Sequence, residues 1–174
     1  GSTTYQNTPV KIRDSGVVQV AAGYHHTLFL EEDGSLWGMG YNGYGQLGVG
    51  TTAYSQSTPV KIRDSGVVQV AAGYEHTLFL EEDGSLWGMG YNYNGQLGIG
   101  ALGTGSQSTP VKIRDSGVVQ VAAGRYHTLF VEEDSSLWAM GNNGYGQLGN
   151  GSTTYQNTPV KSIESGVASS GEGG

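Results

Sequence analysis

The chain has no cysteine among its 174 residues. This excludes a disulfide framework, a thiolate metal site and a cysteine nucleophile. No apolar stretch is long enough to cross a bilayer, and the first residues lack the basic-then-apolar pattern of a secretory signal. We therefore expect no membrane association, and either a cytoplasmic location or a leader outside these residues.

Positive charge is also scarce, because 8 Lys and Arg residues face 15 Asp and Glu residues and the net charge is −7. A nucleic-acid-binding protein needs a basic face to displace counterions from phosphates. Most of the basic residues here lie in repeated Lys-Ile-Arg segments, each followed by an aspartate. We expect no nucleic-acid partner.

Glycine and repetition are what the chain has in excess. The motif Val-Val-Gln-Val-Ala-Ala-Gly begins at Val17, Val67 and Val118, at intervals of 50 and 51 residues. Each copy continues through His-Thr-Leu, Glu-Glu-Asp, Ser-Leu-Trp and Gly-Gln-Leu-Gly. A period of this length is typical of propellers and other repeat arrays. The 31 glycines recur at fixed places, which indicates turns and bulges.

Each copy contains short runs with the alternation of a strand. Val17–Ala22 and Thr27–Glu31 are two such runs, and Asp33-Gly34 supplies a hairpin turn before Ser35–Gly40. The third copy has Asp134-Ser135 at that turn, which predicts a weak point. A Thr-Pro-Val-Lys-Ile segment predicts a fourth, outer strand, since its proline suits a sheet edge. This segment occurs at Thr8–Ile12, Thr58–Ile62 and Thr109–Ile113. Four antiparallel strands per repeat make one propeller blade.

The ordered motifs resemble the consensus of the regulator of chromosome condensation (RCC1) repeat. They are Val-Ala-Ala-Gly-x-x-His-Thr-Leu, Glu-Asp-Gly-Ser-Leu-Trp and Gly-x-Asn-x-x-Gly-Gln-Leu-Gly, and the resemblance extends to about Val160. It implies a β-propeller, usually of about seven blades, that acts as a protein-binding platform. Members of this family include an exchange factor for the small GTPase Ran and bacterial inhibitors of β-lactamase.

The number of copies departs from the family. Three blades cannot close a ring, and an open arc would leave unpaired strand edges at both ends that invite pairing with another chain. Moreover, Gly1–Lys11 is identical to Gly151–Lys161, so one outer-strand copy is spare. We predict an all-β fold of three four-stranded antiparallel blades, closed by homodimerisation into a six-bladed ring.

The same pattern divides the chain into repeats at residues 1–166 and a disordered Gly/Ser tail at residues 167–174. The expected blade cores are residues 17–49, 67–99 and 118–150. The expected outer-strand segments are residues 1–16, 50–66, 100–117 and 151–166.

Three sets of repeated residues suggest chemistry, and each has a structural alternative. His26, His76 and His127 could hold a metal in the channel, but we favour a bond from each imidazole to a carbonyl of its own blade. The Glu-Glu-Asp clusters beginning at Glu31, Glu81 and Glu132 could bind calcium or act as acid and base. We favour solvated turns on one negative rim, which would attract a basic partner. Asn42, Asn92 and Asn143 are expected to satisfy loop backbone groups.

No phosphate loop or catalytic triad can be assembled from the remaining residues. Gly40–Gly48 is rich in glycine but is followed by no Gly-Lys-Ser/Thr and by no predicted helix. We therefore predict no catalytic, cofactor-binding or metal-binding residues, and we do not expect an enzyme.

Positions that differ between copies are the candidates for partner binding, because rigid tyrosines beside adaptable polar residues are typical of binding loops. Neutral drift in exposed loops is the alternative, and we favour it. The candidates are Tyr24, His25, Tyr44, Tyr74, Glu75, Tyr93, Arg125, Tyr126 and Tyr145. The leading hypothesis is a self-assembling, non-enzymatic scaffold, either a propeller fragment or an engineered array. A protein-binding module and a nucleotide exchange factor are the other two hypotheses.

Overall fold

Three antiparallel sheets of four strands make up the computed structural model, which describes residues 1–100 and 105–163. Each strand pairs with the next one along the chain, as the sequence predicts for propeller blades. Blade 1 contains β1 (Val17–Ala22), β2 (His26–Glu31), β3 (Leu36–Tyr41) and β4 (Ser55–Arg63). Blade 2 contains β5 (Val67–Ala72), β6 (His76–Glu81), β7 (Leu86–Gly90) and β8 (Gln107–Arg114). Blade 3 contains β9 (Val118–Ala123), β10 (His127–Glu132), β11 (Leu137–Gly141) and β12 (Gln156–Ile163).

Part of the sequence-based description falls outside these residues. The tail predicted at residues 167–174 lies beyond the described part of the chain. Across residues 1–100 and 105–163, no helix is long and apolar enough to span a membrane.

The tight turn between the second and third strand of each blade depends on an aspartate and a residue with positive φ. In blade 1 the Ser35 backbone N–H donates to Asp33 Oδ1 at 2.9 Å, and Gly34 has a φ of 79°. Ser135 takes the place of this glycine in blade 3 with a φ of 66°, and no other non-glycine residue in the described ranges has a positive φ. The weak point predicted at Asp134-Ser135 is therefore a strained backbone.

Replacing Ser135 with glycine is expected to stabilise the chain by about 1 kcal/mol, because glycine adopts this backbone conformation without the steric cost. Urea unfolding of the variant and the parent chain measures the difference. The reverse change, Gly34→Ser, places the same strain in blade 1 and should lower the free energy of unfolding by a similar amount. A Ser135→Gly chain no more stable than its parent would contradict the assignment of strain to this turn.

Adjacent blades pack face to face around the inner strands, with β1 against β5 and β5 against β9. Leu28 and Leu36 of blade 1 pack with Val67, Val70 and Phe79 of blade 2 in one buried cluster. The equivalent residues of blades 2 and 3 form a second cluster: Leu78, Leu86, Val118, Val121 and Phe130. Both joints within the chain are therefore built from the same residue types at the same positions.

Residues 1–16 differ from the expectation of an outer strand. They contain no strand, whereas the equivalent segments form β4, β8 and β12. An outer strand needs the third strand of its own blade as a partner, and for residues 8–12 that blade would have to precede β1 in space. The segment instead begins beside β4, where a Cβ on Gly1 would lie 2.8 Å from Thr58 Cγ2.

Candidate interaction surfaces

The first uncovered surface is the face of β1. Val17 and Val20 are 39% and 70% exposed. Their counterparts Val67 and Val70 in blade 2 are only 3% and 6% exposed, because blade 1 covers them. The difference arises from position in the arc, since β1, β5 and β9 have the same sequence. Blade 1 therefore presents an apolar face that a preceding blade would bury.

The complementary surface lies at the other end of the arc, on blade 3. Leu129 and Leu137 are partly exposed, whereas the equivalent Leu78 and Leu86 of blade 2 are fully buried against blade 3. In blades 1 and 2 the equivalent leucines pack against the first strand of the next blade. In blade 3 these leucines have no next blade to cover. The two uncovered faces together have the parts of a third joint.

Hydrogen bonds cross each joint at fixed places. The backbone N–H of Val70 donates to Gln19 Oε1 at 2.9 Å, and that of Val121 donates to Gln69 Oε1 at 2.7 Å. The glutamine of blade 3 at the same position, Gln120, is exposed. A joint therefore requires polar groups in register as well as apolar area, which makes it specific for a blade of this type.

His26 and His76 bridge blades rather than bonding a carbonyl of their own blade, so that interpretation of the sequence is wrong for these two histidines, while His127 lies in the last of the three blades. His26 Nε2 lies 3.0 Å from Thr77 Oγ1 of blade 2, and the Thr77 hydroxyl donates to the Gln46 carbonyl at 2.8 Å. Since the hydroxyl has a single proton, His26 Nε2 must be the donor in this contact. His76 Nε2 lies 3.2 Å from Thr128 Oγ1 in the same arrangement.

Burial keeps these imidazoles neutral. Desolvation lowers the pKa of His26 to about 4 and that of His76 to about 3. The Nδ1 atoms of both rings are buried and have no hydrogen-bond partner among the described residues. Within the same ranges, no group of three or more His, Cys, Asp or Glu side chains is arranged to hold a metal ion.

The acidic clusters are partly tied into the joints instead of being wholly solvated. The first acid of each cluster accepts from an arginine that lies just before the blade, as in the 2.9 Å contact from Arg13 Nε to Glu31 Oε1. Arg63 and Arg114 make the same contact with Glu81 and Glu132 at 3.1 Å. The repeated asparagines behave as predicted, since Asn42 Oδ1 accepts from the Leu47 backbone at 3.0 Å.

Most of the predicted partner-binding residues form one connected aromatic surface, which we call the tyrosine face. The Tyr24 and Tyr74 rings stack with centroids 4.1 Å apart, and Tyr74 lies 5.4 Å from Tyr126. The Arg125 guanidinium lies over the Tyr74 ring at 4.6 Å. The face comprises Tyr24, His25, Tyr41, Tyr44, Tyr74, Glu75, Tyr91, Tyr93, Arg125 and Tyr126. Tyr145 is 97% exposed, and its ring has no aromatic contact among the described residues.

The centre of this face lies in a loop that varies between copies, but its central ring, Tyr91, is not among the individual candidates from the sequence. Tyr91 contacts Tyr44 at 5.0 Å, Tyr93 at 4.9 Å and Tyr126 at 5.8 Å, so it links the loops of all three blades. Tyr41 contacts Tyr44 at 6.0 Å. Positions 41 and 91 are both tyrosine while the third copy has Asn142, so a comparison of copies marks the loop as variable without singling out the Tyr91 ring.

Glu75 is the buried acid beneath the tyrosine face. Its Oε2 accepts from Gln46 Nε2 at 2.5 Å, and its Oε1 lies 3.6 Å from His25 Nδ1. Burial raises the pKa of the Glu75 carboxyl, and the nearby His25 partly offsets this effect. In blade 3 the equivalent residue is Tyr126, and the corresponding Gln96 Nε2 has no hydrogen-bond partner among the described residues.

These two glutamines provide a matched comparison. Gln46→Met is expected to lower the free energy of unfolding by roughly 1–3 kcal/mol more than Gln96→Met, because only the first change removes a donor from a buried carboxylate. Both glutamines also accept from a loop backbone N–H, so that loss is common to the two variants. Urea unfolding at neutral pH measures the two losses. Equal losses would show that the contact to Glu75 adds nothing to stability.

A cavity of about 1140 Å³ lies between the tyrosine face and the N-terminal segment. It is lined by Met39 of β3 as well as by Glu75 and several tyrosines. The counterpart Met89 is fully buried, and its Sδ would lie 3.2 Å from a Cβ on Gly48 of the preceding blade. The cavity at Met39 therefore occupies the place of a missing preceding blade.

Comparison with family models places the repeats in register with the strands. The model for the regulator of chromosome condensation (RCC1) repeat matches residues 33–80, 83–131 and 134–168. A second model of the same repeat matches residues 17–46, 67–96 and 118–147, which begin at β1, β5 and β9.

Curated relatives and solved structures are similar to this chain over part of their own length, and the chain spans about one sixth of the curated relatives that it matches. The probable E3 ubiquitin-protein ligase HERC4 of Homo sapiens is 35% identical over 157 residues, which cover 88% of this chain and 15% of the ligase. The crystal structure of human WBSCR16 aligns with a TM-score of 0.73 at 30% identity, covering 86% of this chain and 38% of that protein. Prp20p from Saccharomyces cerevisiae has the same fold, with a TM-score of 0.75 at 22% identity over 86% of this chain and 39% of its own.

Proposed function

Because the chain belongs to the RCC1 repeat family, we propose that it is a non-enzymatic propeller scaffold that completes its ring with a second copy of itself. One observation carries the proposal: Val20 is 70% exposed in blade 1, while the equivalent Val70 and Val121 are 6% and 8% exposed under a neighbouring blade. Two copies supply six blades, which is within the range in which propellers close.

A second copy of the chain fits these uncovered surfaces, since the chain has both the exposed β1 face of blade 1 and the complementary leucine face of blade 3. Blade 3 offers Leu129 and Leu137 where blade 1 offers Leu28 and Leu36 to its neighbour. Twofold symmetry repeats this contact at both ends of the arc, so that two identical joints close the ring and no face is left uncovered.

Ligase activity is not part of the proposal. The curated relatives that carry ligase in their names are matched over about one sixth of their length or less. That matched part contains the repeats, and a propeller of this kind supports function by binding rather than by chemistry.

The test of the scaffold is the mass of the protein in solution, measured by light scattering after gel filtration over a hundredfold range of concentration. We expect a species of twice the 18.2 kDa chain mass that dissociates on dilution. A single chain at every concentration would overturn the proposal. A larger closed assembly would overturn the six-bladed ring while retaining self-association.

The tyrosine face supports a second function, binding of a protein partner. Rigid aromatic rings that are already packed together lose little conformational entropy on binding. The net charge of −7 favours a basic partner. The description of the Prp20p structure names binding to Gsp1p and histones, which is a property of that protein.

Partner binding is tested by immobilising the chain and comparing the proteins that it retains with those retained by two variants. Tyr91→Ala removes the ring that links three loops, whereas Tyr145→Ala removes a ring outside the face. A partner of the tyrosine face is retained by the parent chain and by Tyr145→Ala and is lost from Tyr91→Ala. Retention by all three chains would exclude this face as the binding surface.

A further inference from the structure

Two segments of the chain have the same sequence and contend for one position. Gly1–Lys11 repeats Gly151–Lys161, which contains most of β12. Gly1 lies beside Thr58 of blade 1, near the place where Gly50 lies beside Thr109 of the next blade. The N-terminal segment therefore begins where the outer strand of a preceding blade would end its loop.

In the proposed ring, that preceding blade is blade 3 of a second copy, which already has its own outer strand, β12. One of the two segments must therefore leave. If the N-terminal segment stayed, it would pair with β11 of the second copy, and the copies would exchange strands. If β12 stayed, the copies would join through their faces alone.

The first difference between the two segments lies at the position that packs against the third strand of the blade. Ile12 stands in the N-terminal segment and Ser162 in β12, while the outer strands of blades 1 and 2 have Ile62 and Ile113. Each of these isoleucines packs against a glycine of the third strand. A Cβ on Gly38 would lie 2.9 Å from Ile62 Cδ1, and a Cβ on Gly88 would lie 2.9 Å from Ile113 Cδ1.

Blade 3 has alanine at the glycine position. The neighbours of Gly38 are Ile62 and two leucines, with Leu47 Cδ2 at 3.0 Å and Leu28 Cδ2 at 3.1 Å from the added Cβ. Both leucines have leucine counterparts in blade 3, at Leu129 and Leu148. The isoleucine alone is replaced, by Ser162, whose hydroxyl donates to the Leu148 carbonyl. The smaller outer-strand residue leaves room for the Ala139 methyl group.

We infer that Ala139 and Ser162 form a matched pair that makes blade 3 accept its own β12 and refuse the N-terminal segment of a second copy. A Cβ at the equivalent glycines of blades 1 and 2 would lie 2.9 Å from the isoleucine Cδ1, so Ile12 beside Ala139 would overpack this site unless its terminal methyl group moved. The copies consequently join without strand exchange. Exclusion of the N-terminal segment of a second copy rests on the proposed ring. The fit of Ser162 to Ala139 within blade 3 does not depend on it.

A second pair of residues marks the same boundary. Arg63 is the last residue of β4, the outer strand of blade 1, and its Nε lies 3.1 Å from Glu81 Oε1 of the next blade. Glu31 of blade 1 already accepts from Arg13 of its own chain. The position equivalent to Arg63 in blade 3 is Ile163, so blade 3 of a second copy has no arginine there to compete for Glu31. At the joint between two copies, blade 3 of one copy thus supplies its own outer strand up to residue 162. The arginine that contacts Glu31 is Arg13 of the other copy.

A double-mutant cycle in the full chain tests the match, using Ala139→Gly, Ser162→Ile and the double variant. Ser162→Ile alone is expected to lower the ratio of folded to unfolded chain by about tenfold or more, because it overpacks blade 3. In the Ala139→Gly background the same change should cost much less, because only the hydrogen bond from Ser162 to the Leu148 carbonyl is lost and blades 1 and 2 have glycine and isoleucine at these positions. Additive effects of the two changes would overturn the inference, whatever the mass in solution.

Hydrogen exchange tests which segment is excluded, using Ile12→Ser as the variant and Ile12→Val as its control. Ile12 is 49% exposed, so neither change should prevent folding. Fragments that extend past residue 12 or 162 distinguish the two segments. In the associated parent chain and in Ile12→Val, β12 should be protected while residues 6–12 exchange freely.

In Ile12→Ser, protection should move partly from β12 to residues 6–12, because residues 1–12 then have the same sequence as residues 151–162. Identical exchange in the two variants would overturn exclusion by Ile12. Protection of residues 6–12 at the expense of β12 in the parent chain would do the same. A chain that never associates would overturn the ring, and the cycle would still decide the match within blade 3.

Discussion

Replacing Val20 with aspartate is expected to leave a folded chain that no longer associates. Val20 is 70% exposed in the isolated chain, so a charge there costs little. In the ring the same position becomes a joint position, where Val70 and Val121 are 6% and 8% exposed. A carboxylate buried there without a partner should weaken association by at least about 100-fold, as judged from the cost of unpaired buried charges. Light scattering across a dilution series measures the change.

The neighbouring Val18 is the matched control for this experiment. Val18 is 57% exposed, and its counterparts Val68 and Val119 remain 52% and 51% exposed even though their blades are covered. Val18→Asp should therefore associate like the parent chain. Dissociation of both variants would point to a general effect of charge on β1, and association of both would place the contact elsewhere.

The strand pattern could be predicted from sequence because it follows from local chemistry. Alternation located Val17–Ala22 to the residue, and Asp33-Gly34 located the hairpin that follows β2. The conformation of the N-terminal segment could not be predicted in this way. Gly1–Lys11 and Gly151–Lys161 have one sequence, yet only the second contains a strand, since β11 lies beside it. Pairing partners, not propensity, decide between the two conformations.

The candidate site was predictable only in part, for a related reason. Differences between copies identified Tyr74 and Tyr126, which the structure brings within 5.4 Å of each other. They marked the loop that contains Tyr91 but did not single out its ring, because its role depends on rings from loops of other blades. The partner of each histidine was likewise hidden, since His26 bonds a threonine 51 residues further along the chain. Contacts between blades are not visible in a repeat that is examined by itself.

Acidification from pH 7 to pH 4 is expected to lower the free energy of unfolding by several kcal/mol. His26 has a pKa of about 4 in the folded chain against an ordinary value of 6.5, so the unfolded chain takes up a proton that the folded chain refuses. Stability is complete above pH 6.5 and is lost as the pH falls toward 4, at about 1.4 kcal/mol per pH unit for each such histidine. His26 alone contributes about 3 kcal/mol, and His76, with a pKa of about 3, contributes more.

The physical cause is the burial of each ring, because desolvation disfavours the charged imidazole, and a backbone hydrogen bond with the next histidine offsets only part of this effect on the pKa. Urea unfolding at half-unit steps between pH 7 and pH 4 measures the loss. His76→Gln should be less stable at pH 7 but should show a shallower dependence on pH. The turn aspartates, such as Asp33, have lowered pKa values and act only below their ordinary value of 3.8, outside this window. A variant as steep as the parent chain would show that His76 does not withhold the proton.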